Sequence, residues 1–388
     1  MDTYLPALPR VVSQLHTSSS IVQISLTTSL LGLALGQLFA GPASDRHGRR
    51  PVVIVGCAAF VFSSILCAVT PNVWLLIFFR LLQGCSGAAG IVVSRAVVRD
   101  LYSGTELSRI FSRLLLVTGT APILAPIIGA QILRLTGWRG VFWVLAGIGL
   151  IVLIMSVVII PETLAPSDRT NHRLRTDLTV YRRILRDREF RPYMLASCMF
   201  SGVLFGFISG SPFVIQKIYG HSPAVFSFVF GGVSAAMIAL GQYNARLVRA
   251  RPLELLTRAG MSLAVIGSVG VLLVGAFGIS AGMWLFIVAL VVAVSPNGVV
   301  SPNLTALAMQ HYRTNVGAAA ALMGVSTFLL GGLVAPLVGI AGEHTAVPLG
   351  IVMATCATSG LLLLITFERA ARRAPSSGPL EPQSALIP

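Results

Sequence analysis

Residues 41–51 form a charged loop that carries one carboxylate, one histidine and three arginines between two long apolar runs. The runs on either side, 21–40 and 52–69, contain no charged residue. Because carboxylates and guanidinium groups this close in sequence form ion pairs, we expect Asp45 to pair with a neighbouring arginine or to cap the following helix. The members of the charged loop that we single out are Gly41, Asp45, Arg46, Gly48, Arg49 and Arg50.

The other residues of the charged loop predict a sharp reversal of the chain. Gly41 and Pro42 are expected to end the first helix, and Gly48 permits a tight bend. Pro51 suits the first turn of the next helix, where its missing N–H has no partner to lose. The charged loop is therefore predicted to join two antiparallel helices.

Arg80 is the second candidate for chemistry, because it lies inside the apolar run 73–94. An arginine at membrane depth is costly unless it faces a polar cavity or a partner, so its position suggests a function in the interior. The alternative is that its side chain extends to the outer surface, since Pro71 and Asn72 are only a few residues away. The residues alone leave both interpretations open.

The sequence gives little evidence for a catalytic, metal-binding or nucleotide-binding site. The histidines are scattered in loops, the cysteines lie in or near apolar runs without a C-x-x-C pair, and Lys217 is the only lysine. A phosphate-binding G-x-x-x-x-G-K-[ST] loop is therefore absent from the sequence. We predict that the protein is not an enzyme and uses no cofactor and no metal.

The composition predicts a membrane protein. The chain is 55% hydrophobic and 11% charged, and its formal net charge is +15. The basic residues fall in short clusters between apolar runs, which favours basic loops at a membrane over binding to nucleic acid. The eleven spans that we predict, each close to the 20 residues that cross a bilayer, are 20–41, 52–70, 73–94, 114–133, 138–160, 192–215, 224–245, 259–279, 282–305, 317–340 and 347–367.

The arginines fall largely on one side of these spans. That side includes the charged loop, the segment 161–191 and the region after residue 367, whereas the opposite side has only Arg10, Arg134, Arg139 and Lys217. The excess of basic residues predicts that the arginine-rich side, with the C-terminus, is cytoplasmic.

Two internal matches indicate a duplicated half. Gly41, Arg46 and Arg49 recur 200 residues later as Gly241, Arg246 and Arg249, and the segment 125–129 recurs 210 residues later as 335–339. We predict an N-terminal half (1–160), a cytoplasmic linker (161–191), a C-terminal half (192–367) and a cytoplasmic tail (368–388). The first half is then one helix short.

The charged loop matches the pattern G-x-x-S-D-R-x-G-R-R and resembles the loop 2–3 signature of the major facilitator superfamily. The segments 2–9 and 32–42, the sequence R-D-L-Y at 99–102 and P-E-T at 161–163 are similar to the Bcr/CflA-type drug–proton antiporters. The resemblance implies an all-α membrane protein of two six-helix halves. It also implies that most of the first helix is missing from this chain, and a start codon chosen too far downstream would explain this.

The resemblance also implies roles for several residues. Asp2 would lie in the first helix as a proton-binding carboxylate, since no other acidic residue falls well inside a span, but next to the terminal amine it is equally open to solvation. Arg80 matches the fourth-helix arginine that is linked to proton transfer. The fifth-helix motif of antiporters matches Gly119, Pro122, Pro126 and Gly129, for which a structural kink is the alternative.

The polar residues Gln37, Asn297 and Asn303 are expected to line a substrate cavity, and Pro296 and Pro302 to interrupt the tenth helix beside it. The resemblance implies a monomeric exporter in the bacterial inner membrane that exchanges small, drug-like molecules for protons. The charged loop would stabilise one state through ion pairs. Export of a specific metabolite, such as an amino acid or sugar, is the alternative.

Overall fold

The computed structural model describes residues 2–102, 104–169, 174–277, 282–310, 312, 316–340 and 345–373. The N-terminal half begins with a 3-10 helix, Asp2–Ala7, and continues with α1 (Leu8–Gln14), α2 (Ser19–His47), α3 (Arg49–Val69), α4 (Val73–Leu101), α5 (Gly104–Thr136) and α6 (Trp138–Val158). The segment between the halves contains a short 3-10 helix, Pro166–Asp168, and α7 (Leu174–Arg186). The C-terminal half comprises α8 (Phe190–Phe213) with a π-helical turn (Val214–Ile218), α9 (Pro223–Leu247), α10 (Leu253–Phe277), α11 (Met283–Val294), α12 (Asn297–Met309), α13 (Val316–Val338) and α14 (Val347–Arg373).

The predicted spans are confirmed as helices. Ten helices in the described part of the chain are long and apolar enough to cross a membrane, with α11 and α12 counted together. The remaining predicted span corresponds to α5, whose described apolar part is Ile123–Thr136. The chain is therefore a multi-pass membrane protein, as its composition predicts.

The tenth-helix break is also confirmed. Helix α11 ends at Val294, and α12 starts at Asn297 after a turn at Ser295 and Pro296. Pro302, by contrast, lies inside α12 without ending it. The Asn297 side-chain amide donates to the Val294 carbonyl at 3.2 Å and so satisfies a backbone group that the break leaves free.

The prediction that α2 ends at Gly41–Pro42 was wrong. The helix continues through Pro42 to His47, and the chain reverses at Gly48, whose φ of +99° suits glycine. The Ser44 hydroxyl donates to the Gly41 carbonyl at 2.8 Å, which satisfies one backbone acceptor in the turn that contains the proline. Gly48 and Pro51, the third residue of α3, have their predicted places.

The N-terminal segment is packed inside the bundle. Tyr4, Leu5, Ala7 and Leu8 are at most 1% exposed. The Arg10 guanidinium donates to the Leu133 carbonyl at 2.9 Å and so attaches this segment to α5. The 3-10 helix also contacts α8 and α9, so it lies where the two halves meet.

Two long helix pairs join the halves, α2 with α13 and α5 with α9. The Thr27 hydroxyl of α2 donates to the Gly332 carbonyl of α13 at 2.6 Å. The Ser227 hydroxyl of α9 donates to the Pro126 carbonyl of α5 at 2.8 Å. The duplicated sequence motifs relate α2 to α9 and α5 to α13, so the two pairs correspond to each other when the halves are exchanged.

Candidate functional site

Close packing of α2 against α4 positions the interior of the N-terminal half. A Cβ atom at Gly84 would lie 2.1 Å from the Ser29 carbonyl oxygen, and one at Gly36 would lie 2.4 Å from the Cys85 carbonyl oxygen. Only glycine allows the two helix backbones to approach so closely. This contact fixes the face of α4 that carries Arg80 and Gln83.

Arg80 is buried in the interior, with 1% of its surface exposed. Its guanidinium carbon lies 5.2 Å from the centroid of the Tyr4 ring and 5.8 Å from that of Phe142, so aromatic faces stabilise the cation. The interpretation that this side chain extends to the outer surface was therefore wrong. Of its three nitrogen atoms, Nε and Nη2 have no hydrogen-bond partner in the described structure.

The third nitrogen atom of Arg80 is held by a short chain of hydrogen bonds. Nη1 donates to Gln83 Oε1 at 2.5 Å, and Gln83 Nε2 donates to the Ser64 hydroxyl at 2.7 Å. Ser64 in turn donates to the Phe60 carbonyl at 2.6 Å. The chain links α4 to α3 and fixes one side of the guanidinium group, so that its other nitrogen atoms can take an acceptor.

Asp2 lies next to this cluster. It is half-buried and is close enough to Arg80 for a favourable electrostatic interaction. The adjacent backbone fits into a notch in α5, because a Cβ at Gly129 would lie 2.1 Å from the Thr3 carbonyl oxygen. The structure therefore brings together three of the predicted site residues, Asp2, Arg80 and Gly129.

The halves also meet at the side of the bundle opposite the charged loop. Gln23 of α2 is 1% exposed, and its amide donates to the Ser209 carbonyl of α8 at 3.1 Å. A Cβ at Gly339, directly after α13, would lie 2.3 Å from Gln23 Oε1, and the Ser19 hydroxyl donates to the Gly339 carbonyl at 3.4 Å. These contacts hold the two halves together at this end.

At the arginine-rich end, the charged loop forms an ion-pair network. Arg49 pairs with Asp45 and, at 2.9 Å, with Asp100 at the end of α4. It also donates to the Ser44 hydroxyl at 2.7 Å and is itself buried. The predicted pairing of Asp45 with an arginine is thus present, and its partner is Arg49, whereas Arg46 is exposed.

Glu162, which follows α6, caps the start of α3. Its carboxylate accepts from the backbone N–H of Arg49 at 2.8 Å, of Arg50 at 3.3 Å and of Leu164 at 3.1 Å. A Cβ at Gly48 would lie 2.2 Å from Glu162 Oε2, so glycine is needed for both the turn and the cap. Although partial desolvation opposes it, these N–H groups and the charge of Arg169 lower the pKa of Glu162.

The lowered pKa of Glu162 predicts an acid-dependent loss of stability that Glu162→Gln removes. A depressed folded-state pKa contributes stability that is fully present above the unfolded-state value, near 4.5, and is lost as the pH falls through the folded-state value. Thermal unfolding in detergent, followed from pH 7 downward, should show a steeper loss below about pH 4.5 in the wild type than in Glu162→Gln. Glu106→Gln, at an exposed carboxylate in the first turn of α5, serves as the control.

The residues predicted to line a cavity have different surroundings. Gln37 is half-buried on α2, and its Oε1 would lie 3.4 Å from a Cβ at Gly324 of α13, so it lies between the halves. Asn297 and Asn303 are buried within the C-terminal half. Asn303 forms two amide hydrogen bonds with Asn244 of α9, at 2.9 and 3.3 Å. A role for all three residues in substrate binding stays a prediction.

The fifth-helix motif lies on α5 as predicted, although the surroundings of Gly119 and Pro122 are outside the described part of the structure. Pro126 presents its carbonyl to Ser227 of α9, and Gly129 contacts the N-terminal segment. This end of the motif therefore contacts both the C-terminal half and the first residues of the chain. Whether the prolines bend the helix stays a prediction.

Several residues of the site were missed from the sequence. Asp100 and Glu162 contact Arg49 from 51 and 113 residues away, and Gln23 and Asn244 carry no charge that marks them. The sequence did offer one signal for Asp100 and Glu162. Both lie near the ends of predicted spans on the arginine-rich side, where carboxylates are expected to form ion pairs with arginines.

Comparison with known proteins gives consistent results. The family model for the Major Facilitator Superfamily matches residues 1–336. The chain is 37% identical to the uncharacterized MFS-type transporter YdgK of Bacillus subtilis, over 95% of this chain and 92% of the relative. It is 30% identical to the bicyclomycin resistance protein homolog of Haemophilus influenzae, over 93% and 90%. The multidrug resistance protein MdtL of Escherichia fergusonii is 29% identical, over 94% and 91%.

Solved structures share the fold at low sequence identity. The nucleoside transporter NupG superposes with a TM-score of 0.73 and 12% identity, over 95% of this chain and 94% of that chain. The xylose transporter XylE from E. coli, in a partially occluded inward open conformation, gives a TM-score of 0.70 and 14% identity, over 98% and 95%.

Proposed function

The chain belongs to the Major Facilitator Superfamily and is a membrane transporter, and on that premise we propose that it exports small, drug-like molecules in exchange for protons. The relatives named for resistance to bicyclomycin and to multiple drugs support this substrate class. We place the protein in the bacterial inner membrane, with its arginine-rich end in the cytoplasm, because basic residues accumulate on that side. The contacts around Gln23 and Gly339 then close the periplasmic end.

The observation that carries the proposal is the pair formed by Arg80 and Asp2. Arg80 is a buried cation with two unpartnered nitrogen atoms, and Asp2 is the carboxylate within its electrostatic range. An ionised Asp2 compensates the buried charge, whereas a protonated Asp2 leaves Arg80 uncompensated. Proton binding therefore changes the energy of the contact between α4 and the N-terminal segment, which also contacts the C-terminal half through α8 and α9.

A hydrogen bond between the N-terminal segment and α8 supports a route by which this change would reach the other half. The Gln216 amide, in the π-helical turn after α8, donates to the Pro6 carbonyl at 3.2 Å. Protonation of Asp2 would release the N-terminal segment from Arg80 and weaken the closure of the periplasmic end. Proton binding at Asp2 would thus change the relative free energies of the inward-open and outward-open states.

Asp2→Asn is expected to abolish proton coupling. The substitution keeps the shape of the side chain and removes its titration, so cargo can no longer be exchanged for a proton. In acid-inside, inside-out vesicles, addition of a drug substrate should dissipate the pH gradient with the wild type and leave it unchanged with Asp2→Asn. Exchange of labelled for unlabelled drug without a gradient should persist, because that reaction needs no proton.

The control is Glu106→Gln, an exposed carboxylate on α5 that contacts neither Asp2 nor Arg80 in the described structure. Gradient dissipation at the wild-type rate by Asp2→Asn would contradict the role of Asp2. An absence of drug-dependent dissipation by the wild type, across a broad set of drugs, would contradict proton-coupled export itself.

A further inference from the structure

The acidic residues of this chain are distributed unevenly across the membrane. Among the described residues, Asp2 is the acidic residue within electrostatic range of the buried Arg80. The described acids near the arginine-rich end lie at helix ends or in connecting segments, at positions 45, 100, 106, 162, 168, 177, 187, 189, 254 and 368. Helices α11 and α12 contain no charged residue, and α13 contains none in its described span Ala318–Val338.

A basic residue, by contrast, lies within the buried interior and brings a positive charge into it. Arg80 is buried at membrane depth, and among the described residues Asp2 is the carboxylate that balances its charge. The net charge of this pair is zero when Asp2 is ionised and positive when Asp2 is protonated. The interior thus never carries a net negative charge during a cycle that uses Asp2 as the proton site.

The polar side chains along the contact between the halves are uncharged. On α2, Gln23, Thr27 and Gln37 face α13, next to Gly339, Gly332 and Gly324. Their amides and hydroxyl can donate to and accept from a neutral or anionic polar group. In the described residues of this contact, no carboxylate is available to balance a cation.

From this distribution we infer that the cargo carries no net positive charge, and that the transporter selects neutral or anionic amphipathic molecules over organic cations. A cation entering the low-dielectric interior would meet Arg80 without a free counter-charge in either protonation state of Asp2. A neutral or anionic molecule avoids this repulsion. This inference rests on the proposed proton-coupled export and specifies its substrate class.

The test compares matched dyes in acid-inside, inside-out vesicles whose membrane potential is clamped with valinomycin and potassium. Tetramethylrhodamine ethyl ester, a monocation, and sulforhodamine B, a monoanion, share a xanthene core, and further drug pairs matched in this way extend the comparison. We expect the anionic and neutral members to dissipate the pH gradient at least about tenfold faster than the cations.

Gln37→Glu tests the physical cause, because it adds one carboxylate between the halves with almost no change of shape. We expect this variant to accept the cationic dyes and to lose part of its transport of the anions, whereas Gln37→Leu should keep the wild-type preference. If Gln37→Glu leaves the preference unchanged, interior charge does not determine selectivity and the inference fails.

The remaining outcomes separate the inference from the function on which it rests. Wild-type exchange of the cations at rates equal to the anions would overturn the charge selectivity and leave proton-coupled export intact. A wild type that couples no member of the set to protons would overturn both.

Discussion

Arg80→Gln is expected to reduce proton-coupled drug exchange by at least about a hundredfold, because it removes the buried cation that interacts with Asp2. Without the cation, Asp2 has no favourable interaction to lose on protonation, so proton binding no longer changes the contact between α4 and the N-terminal segment. The gradient-dissipation assay in inside-out vesicles measures this loss directly.

Arg80→Lys should be nearly as impaired, although it keeps the charge. The guanidinium lies against the faces of Tyr4 and Phe142 and donates to Gln83 through one nitrogen atom while two others stay free. An ammonium group is a shorter point charge that does not reproduce this planar arrangement. Exchange by Arg80→Lys should therefore stay well below that of the wild type.

Arg139→Gln is the matched control for both variants. Arg139 also lies over an aromatic ring, 4.3 Å from the centroid of Trp138, and donates to the Thr70 carbonyl at 3.0 Å, but it lies at the proposed periplasmic end of α6. Its replacement should leave proton coupling unchanged. Coupling at the wild-type level by Arg80→Gln would show that the buried charge is not part of the proton pathway.

A measurement of stability separates a loss of function from a loss of fold. Burying a cation with two unsatisfied nitrogen atoms costs free energy, so removing it should leave the melting temperature unchanged or raise it. An Arg80→Gln protein that unfolds at much lower temperature would indicate that the residue is needed mainly for folding.

The sequence predicts the membrane-spanning helices well, because hydrophobic length is a local property. The interruption between α11 and α12 was also predictable from a local property, because Pro296 has no backbone N–H to donate to a helical hydrogen bond. Pro42 has the same chemistry, yet α2 continues past it to His47. The difference depends on surroundings that composition does not encode, including the Ser44 hydroxyl and the ion pairs of Arg49.

The residues of the site were predictable only where charge marks them. Arg80 and Asp45 are conspicuous in an apolar chain, so their importance was visible, but their partners are set by packing. Glu162 reaches the start of α3 from 113 residues away. The 3-10 helix Asp2–Ala7 is too short to give a hydrophobic pattern, and its burial depends on notches in helices distant in sequence.

The repeated motif at 125–129 and 335–339 places a glycine at a close contact in each half. In the N-terminal half, Gly129 receives the Thr3 carbonyl, and in the C-terminal half Gly339 receives the Gln23 side chain. Both contacts lie at the proposed periplasmic end. The duplicated motif thus gives corresponding helices, α5 and α13, the same kind of contact in the closed state.

Gly129→Ala is therefore expected to shift the protein toward the state that is open at the periplasmic end. The new Cβ would lie 2.1 Å from a backbone oxygen atom, which has no flexible side chain to move away. Overpacking of this kind costs about 1–3 kcal/mol, enough to change the ratio of two states by about fivefold to more than a hundredfold. Leu135 and Ile340 lie on opposite halves and are 84% and 74% exposed. The distance between spin labels at these two positions, measured by electron paramagnetic resonance, should be larger in Gly129→Ala than in the wild type.

Gly339→Ala should open the same end to a smaller extent, and it should add little to the effect of Gln23→Ala, which removes both the clash and the amide hydrogen bond to Ser209. Here the atom nearest the new Cβ is Gln23 Oε1 at 2.3 Å, the end of a flexible side chain, so shortening that side chain removes the main clash. Gln23→Ala should not reverse Gly129→Ala, whose clash is with the Thr3 backbone. Gly147→Ala on α6, where a new Cβ has nothing within 4 Å, is the control and should leave the distance unchanged. A gate that depends on close approach of the backbone cannot tolerate a methyl group at the point of contact. Equal spin-label distances in the wild type, Gly129→Ala and Gly339→Ala would therefore show that these glycines are not needed for closure.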